Sequence, residues 1–235
     1  MPAWKTYHLS DFLLFSARTW DRLFERYNRD VWPLQLVAVA LGVCILVLAL
    51  RRAPAWHGRV IAAILAVTWL WVAWAFQLKR YATINWAAKW FALAFVIEAM
   101  LLIWVGVVRD RFRAIPKRRA VRWSGIVLFT FALVVAPLIG VLMRGSWSTA
   151  QTFGITPDPT VVATIGVILF AGERRAVSLL IVPLLWCAIS GATWWTLHAS
   201  ASAGFILLGL ILPARWRISR SRSIFRTPEG SRTGS

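Results

Sequence analysis

The chain of 235 residues is short of acids, histidine and cysteine, with nine Asp and Glu against 27 Lys and Arg, three His and two Cys. Each shortage removes a class of chemistry. His8, His57 and His198 lie away from the centres of the long apolar runs, which argues against a membrane haem held by paired histidines. Cys44 and Cys187 sit inside apolar runs, where cysteine behaves as a small buried hydrophobe, so neither a disulfide framework nor a metal clip is expected. HExxH, Walker A, GxSxG and cysteine-rich metal spacings are missing, and with them the usual hydrolase and ATPase signals. No cofactor and no enzymatic activity are expected. The N-terminal ten residues lack a charged stretch followed by an apolar run, so no cleavable secretion signal is expected. No repeat, direct or inverted, is evident, which weakens a transporter reading.

What the chain has in excess is apolar surface, 59% of its residues, against roughly 45–50% in a soluble domain. Long apolar runs alternate with short basic connections, which is the pattern of an all-α, polytopic transmembrane bundle. The runs are residues 33–50, 60–78, 90–108, 123–143, 160–171, 177–197 and 203–212, giving about seven spans, with six as the alternative. Most approach the ~20 residues that cross about 30 Å of hydrocarbon. The run at 160–171 does not, and is expected to thin the bilayer or to re-enter it. No charge interrupts residues 177–212, so the chain is expected to turn at 198–202. Pro137 should kink the fourth span. Before the first span, Leu9, Phe12, Leu13, Trp20, Leu23, Phe24 and Tyr27 recur at helical spacing opposite a charged face, with Ser10 as N-cap, which reads as an amphipathic interfacial helix. The organisation expected is an interfacial segment at 1–32, a transmembrane domain at 33–212, and a basic, disordered tail at 213–235.

A formal charge of +18 often marks a nucleic-acid partner. Here the arginines stand at the ends of apolar runs, where they fix topology and meet anionic lipid headgroups, so the lipid bilayer is the expected partner and nucleic acid is not. Lys and Arg number three in 51–59, seven in 109–122, two in 172–176 and six in the tail, against three, one and none in the alternating connections. The richer set is expected in the cytoplasm, giving N-terminus outside and C-terminus inside. Five basic residues before the first span oppose this weakly.

Few residues remain that could carry chemistry. Glu98 is the one carboxylate inside a clear span, where a charge is costly; it is either a proton-handling group or a polar contact between helices, the latter favoured because no second buried acid or histidine continues a relay. Gln35, Gln77, Lys79, Arg80, Tyr81, Asn85, Lys89, Asp158 and His198 gather at the outer ends of the runs, where they could line a periplasmic cleft. Trp71, Trp74, Trp86, Trp90, Trp147, Trp194 and Trp195 fall at the same level, as an aromatic belt would. Asp158 before Pro159 reads first as an N-cap preceding a proline at the first helical position. Small residues at 190–193, with Ser200 and Gly204, read as close helix contacts.

LSDFLLFS at 9–16, RYATINW at 80–86, PDPT at 157–160, PLLWC at 183–187 and SGAT at 190–193 together resemble a family of bacterial multi-pass membrane proteins known as a domain of unknown function, over roughly residues 4–197. The resemblance implies a bacterial membrane location and a shared helical architecture, and it carries no activity, catalytic residue or ligand. The expected function is thus an integral protein of the bacterial inner membrane with a structural or accessory role. A small-solute or proton-coupled permease using Glu98 and the outer polar residues is the alternative, and a lipid-modifying enzyme the third.

Overall fold

A segment surrounded by acyl chains must bond its own backbone amides and present apolar side chains, and the long Val, Leu, Ile and Ala runs do both as helices. The computed structural model describes residues 17–51, 56–113, 119–171 and 178–198; every regular element among them is helical. The expected N-cap at Ser10, the turn at 198–202, the run at 203–212 and the tail lie outside the described residues.

α1 (Ala17–Asp30) is the amphipathic helix. Trp20, Leu23, Phe24, Tyr27 and Asn28 are buried at helical spacing, while Arg18, Arg22, Arg26 and Arg29 are exposed. It meets α2 (Leu34–Leu50) at 87°, and its buried stripe packs on Phe76, with Phe24 and Tyr27 each standing 5.3 Å from that ring.

α3 (Trp56–Trp71) continues as a π-helical segment, Val72–Leu78, and α4 (Ala88–Leu102) as another, Ile103–Val108. α5 (Arg119–Thr130) passes through a third, Phe131–Val135, into α6 (Ala136–Arg144). The disturbance expected at Pro137 is located here. Proline lacks an N–H and its ring crowds the carbonyl four residues back, that of Leu133, and the backbone answers with a widened turn around that residue.

α7 (Pro157–Ala171) is buried at all fifteen positions. Burial on every side means enclosure by protein, and α3, α5 and α8 (Ile181–His198) supply it. Its shortness therefore need not match a bilayer thickness. The contact with α5 is backbone to backbone: a Cβ placed on Gly166 would lie 2.8 Å from the Gly125 carbonyl oxygen and 2.9 Å from the Phe129 nitrogen.

Among the described residues four helices are long and apolar enough to cross a membrane, Trp56–Thr83, Ala88–Val108, Arg119–Leu142 and Ser178–Trp195, and α1 with α2 makes a fifth if the bent pair is one span. Seven spans are not seen among the described residues. Outward from these helices point Val67, Leu70, Leu93, Val96, Ile97, Met100, Val127, Val134, Leu138, Ile181 and Leu185.

Candidate functional site at the first turn of α7

The turn at 153–155 before α7 delivers Asp158 to the second helical position, with Thr156 in the flanking place and Pro157 at the start. Asp158 is thus inside the first turn and is not the N-cap that its place before Pro159 led us to expect. Its carboxylate turns to α8. Oδ1 accepts from Trp186 Nε1 and from Ser190 Oγ, both at 2.8 Å, and Oδ2 accepts from Trp194 Nε1 at 3.1 Å. The three donors stand four residues apart, so they share one face of α8 and meet a single carboxylate on the neighbouring helix.

An aromatic wall backs this contact. The Trp186 ring meets Phe95 at 5.1 Å and Phe91 at 5.5 Å, both edge to face, and Phe91 stacks on Tyr81 at 6.2 Å. Tyr81 in turn touches Trp20 of α1 at 5.2 Å. The segments at 80–86, 157–160, 183–187 and 190–193, far apart in sequence, therefore converge at this end of the bundle. One further lock lies deeper, where Trp69 Nε1 of α3 donates to Thr164 Oγ1 of α7 at 2.8 Å.

The other polar residues expected to share a cleft are spread over separate contacts. Arg80 pairs with Asp30 at the surface. Gln35 Nε2 donates to the Asn28 carbonyl at 2.8 Å, and Asn28 Nδ2 donates to the Ser148 and Ala150 carbonyls, both at 2.8 Å. Asn85 Nδ2 donates to Tyr81 Oη at 2.8 Å while its Oδ1 accepts from the Ala87 N–H. These bonds tie α1 and the connecting turns to the bundle. Tyr27 adds to them, donating to the Ile155 carbonyl at 2.9 Å and accepting from Trp71 Nε1; burial holds its hydroxyl well above the usual phenol range, against the smaller downward effects of the Trp71 bond and Arg80. Gln77 is enclosed in the π-helical end of α3, and neither amide atom has a hydrogen-bond partner among the described residues.

Glu98 lies on the buried stripe of α4 formed by Ala92, Phe95, Ala99 and Leu102, one turn beyond the Phe95 that meets Trp186. It is 0% exposed, and neither carboxylate oxygen has a hydrogen-bond partner among the described residues. Among these residues no group of three or more His, Cys, Asp or Glu side chains is placed to hold a metal ion.

Trp186, Ser190 and Trp194 are the site residues that sequence reasoning missed. Ser190 was read as a packing residue and Trp194 as part of a belt. The legible signal was the recurrence of three side-chain donors every fourth residue in an otherwise apolar helix.

The arrangement among the described residues is all-helical, with span-length apolar helices and a few buried polar side chains, Asp158, Thr164 and Ser190, that bond one helix to another. Residues 17–223 match the model of a family of unknown function (DUF6064), and the chain belongs to that family. No curated protein and no solved structure matches it.

Proposed function

We propose that the chain is a multi-pass protein of a bacterial inner membrane, with its arginine-rich end in the cytoplasm, its N-terminus outside and its C-terminus inside, and that its role there is structural or accessory. The observation that carries the membrane reading is where the exposed tryptophans stand. Trp32, Trp74, Trp86, Trp90, Trp147 and Trp195 occupy helix ends and turns at the Asp158 end, and Trp56, Trp104 and Trp123 the opposite helix ends, whereas Trp20, Trp69 and Trp186 are buried. Aliphatic side chains fill the exposed surface between the two levels, as headgroup belts around a hydrocarbon zone require. Support for an accessory role comes from Asp158, whose oxygens are occupied by three donors of α8. The experiment is alkaline extraction of membranes followed by maleimide labelling of single cysteines in intact cells. Trp86→Cys should label from outside and Arg119→Cys only after permeabilisation; recovery in the soluble fraction, or the reverse labelling, overturns the reading.

The permease alternative rests on one observation, that the buried oxygens of Glu98 have no hydrogen-bond partner among the described residues. In that case Glu98→Gln removes uptake or proton coupling while membrane abundance stays unchanged. Loss of abundance alone returns Glu98 to a packing role.

A further inference from the structure

At the end opposite Asp158 the helix termini of α2, α3, α4 and α5 bring Arg51, Arg59, Arg109, Arg111, Arg119 and Arg122 to one face. Several of these guanidiniums are engaged. Arg59 Nε lies 3.5 Å from Asp110 Oδ1, Arg109 lies over the Trp104 ring at 4.9 Å, and Arg122 Nη2 donates to the Ala49 carbonyl at 3.0 Å. The last contact joins the start of α5 to the end of α2. It ties Ala49, two residues before Arg51, to the first turn of α5, where Arg119 precedes Arg122 by about one turn. Arg51 and Arg119 are both exposed, and among the described residues neither side chain has a hydrogen bond or ion pair. Just inside this level stand the exposed Trp123 and, on the flanks of α2 and α5, the exposed Val47, Leu50 and Val127.

We propose that Arg51 and Arg119 hold the phosphate of an anionic phospholipid at the α2–α5 end, with its acyl chains against those apolar flanks. This deepens the membrane reading and rests on it. Two uncommitted cations lie above an apolar surface with an indole at the boundary, so charge and hydropathy change along the helix axis in the order of a lipid's own headgroup and tails. A free phosphate would satisfy the cations and ignore the apolar flank.

The test uses the full chain reconstituted in nanodiscs of phosphatidylcholine with a minor fraction of phosphatidylglycerol, counting the lipids retained on the protein by native mass spectrometry. Wild type should retain phosphatidylglycerol above its bulk fraction. R51Q/R119Q should lose that excess, by about 30-fold if each headgroup cation acts independently, and R18Q/R26Q, at the other end, should keep it. R51Q and R119Q singly, each with a partial loss, carry the same test if the double variant does not accumulate. Unchanged retention in R51Q/R119Q overturns the proposal, as does displacement of the lipid by millimolar inorganic phosphate. Failure of the protein to enter the bilayer would overturn the membrane reading itself, whereas an embedded protein without lipid preference overturns only this site.

Discussion

Replacing Asp158 tests whether the contact between α7 and α8 is a structural staple. A hydrogen bond to a carboxylate is worth about 1.5–3 kcal/mol in aqueous proteins, and polar contacts between membrane helices average nearer about 0.6 kcal/mol because the separated helices find other partners. Asp158→Ala strands three donors at once. Trp186 and Ser190 are buried and keep the full penalty, while Trp194 is only partly buried and can turn to water or headgroups. Two buried orphans place the loss at about 2–5 kcal/mol. Asp158→Asn retains an oxygen for Trp186 and Ser190 and turns its NH2 against Trp194, a loss of about 1 kcal/mol. Ser190→Ala removes one donor and leaves the carboxylate bonded twice, also about 1 kcal/mol. The assay is unfolding by sodium dodecyl sulfate in mixed micelles, followed by tryptophan fluorescence, which reads the indoles concerned. The expected order of midpoints is wild type highest, then Asp158→Asn and Ser190→Ala together, then Asp158→Ala. A midpoint for Asp158→Ala equal to wild type refutes the staple; one for Asp158→Asn as low as that of Asp158→Ala shows that charge matters and the placement of acceptors does not.

Other substitutions probe the remaining contacts in the same unfolding assay. Gly166→Ala drives a methyl into the α5 backbone and should cost about 1–3 kcal/mol; wild-type behaviour would mean the two helices stand further apart than described. Thr164→Val leaves the buried Trp69 indole without its acceptor, at about 1–2 kcal/mol, and no change would discount that bond. Glu98→Gln breaks no hydrogen bond seen here, so abundance and midpoint should match or exceed wild type, and a large loss would reveal a partner for the carboxylate. Asp30→Asn removes an exposed ion pair with Arg80, worth about 0–1 kcal/mol and weaker in salt; a larger, salt-independent effect would show that α1 is anchored chiefly by charge.

Element type and position were largely legible because hydrocarbon imposes a one-dimensional rule, that a long apolar run becomes a helix. The runs expected at 33–50, 90–108 and 160–171 correspond to Leu34–Leu50, Ala88–Val108 and Pro157–Ala171. The environment of each run was less legible, because hydropathy does not distinguish lipid from the inside of a bundle. The run at 160–171 is as apolar as its neighbours, yet α7 touches protein on every side, and only the Gly125–Gly166 crossing explains how another backbone comes close enough to cover it.

The polar residues were read by their neighbours in sequence, and that is where the reading failed. Local chemistry made Asp158 an N-cap, since Asp followed by Pro is ordinary at a helix start. Its partners come instead from the adjoining helix, about thirty residues on, and only the register between α7 and α8 decides that Trp186, Ser190 and Trp194 all face it. The same register bears on Glu98. Its relay reading was discounted for want of a second buried acid, and the fold supplies one in Asp158, near the Trp186 ring that also meets Phe95, one turn from Glu98 on α4. The two acids differ in what surrounds them, Asp158 holding three donors and Glu98 none among the described residues. Neutralising the first should therefore loosen the fold and neutralising the second should not, so any activity lost in Glu98→Gln with the fold intact belongs to Glu98's own chemistry.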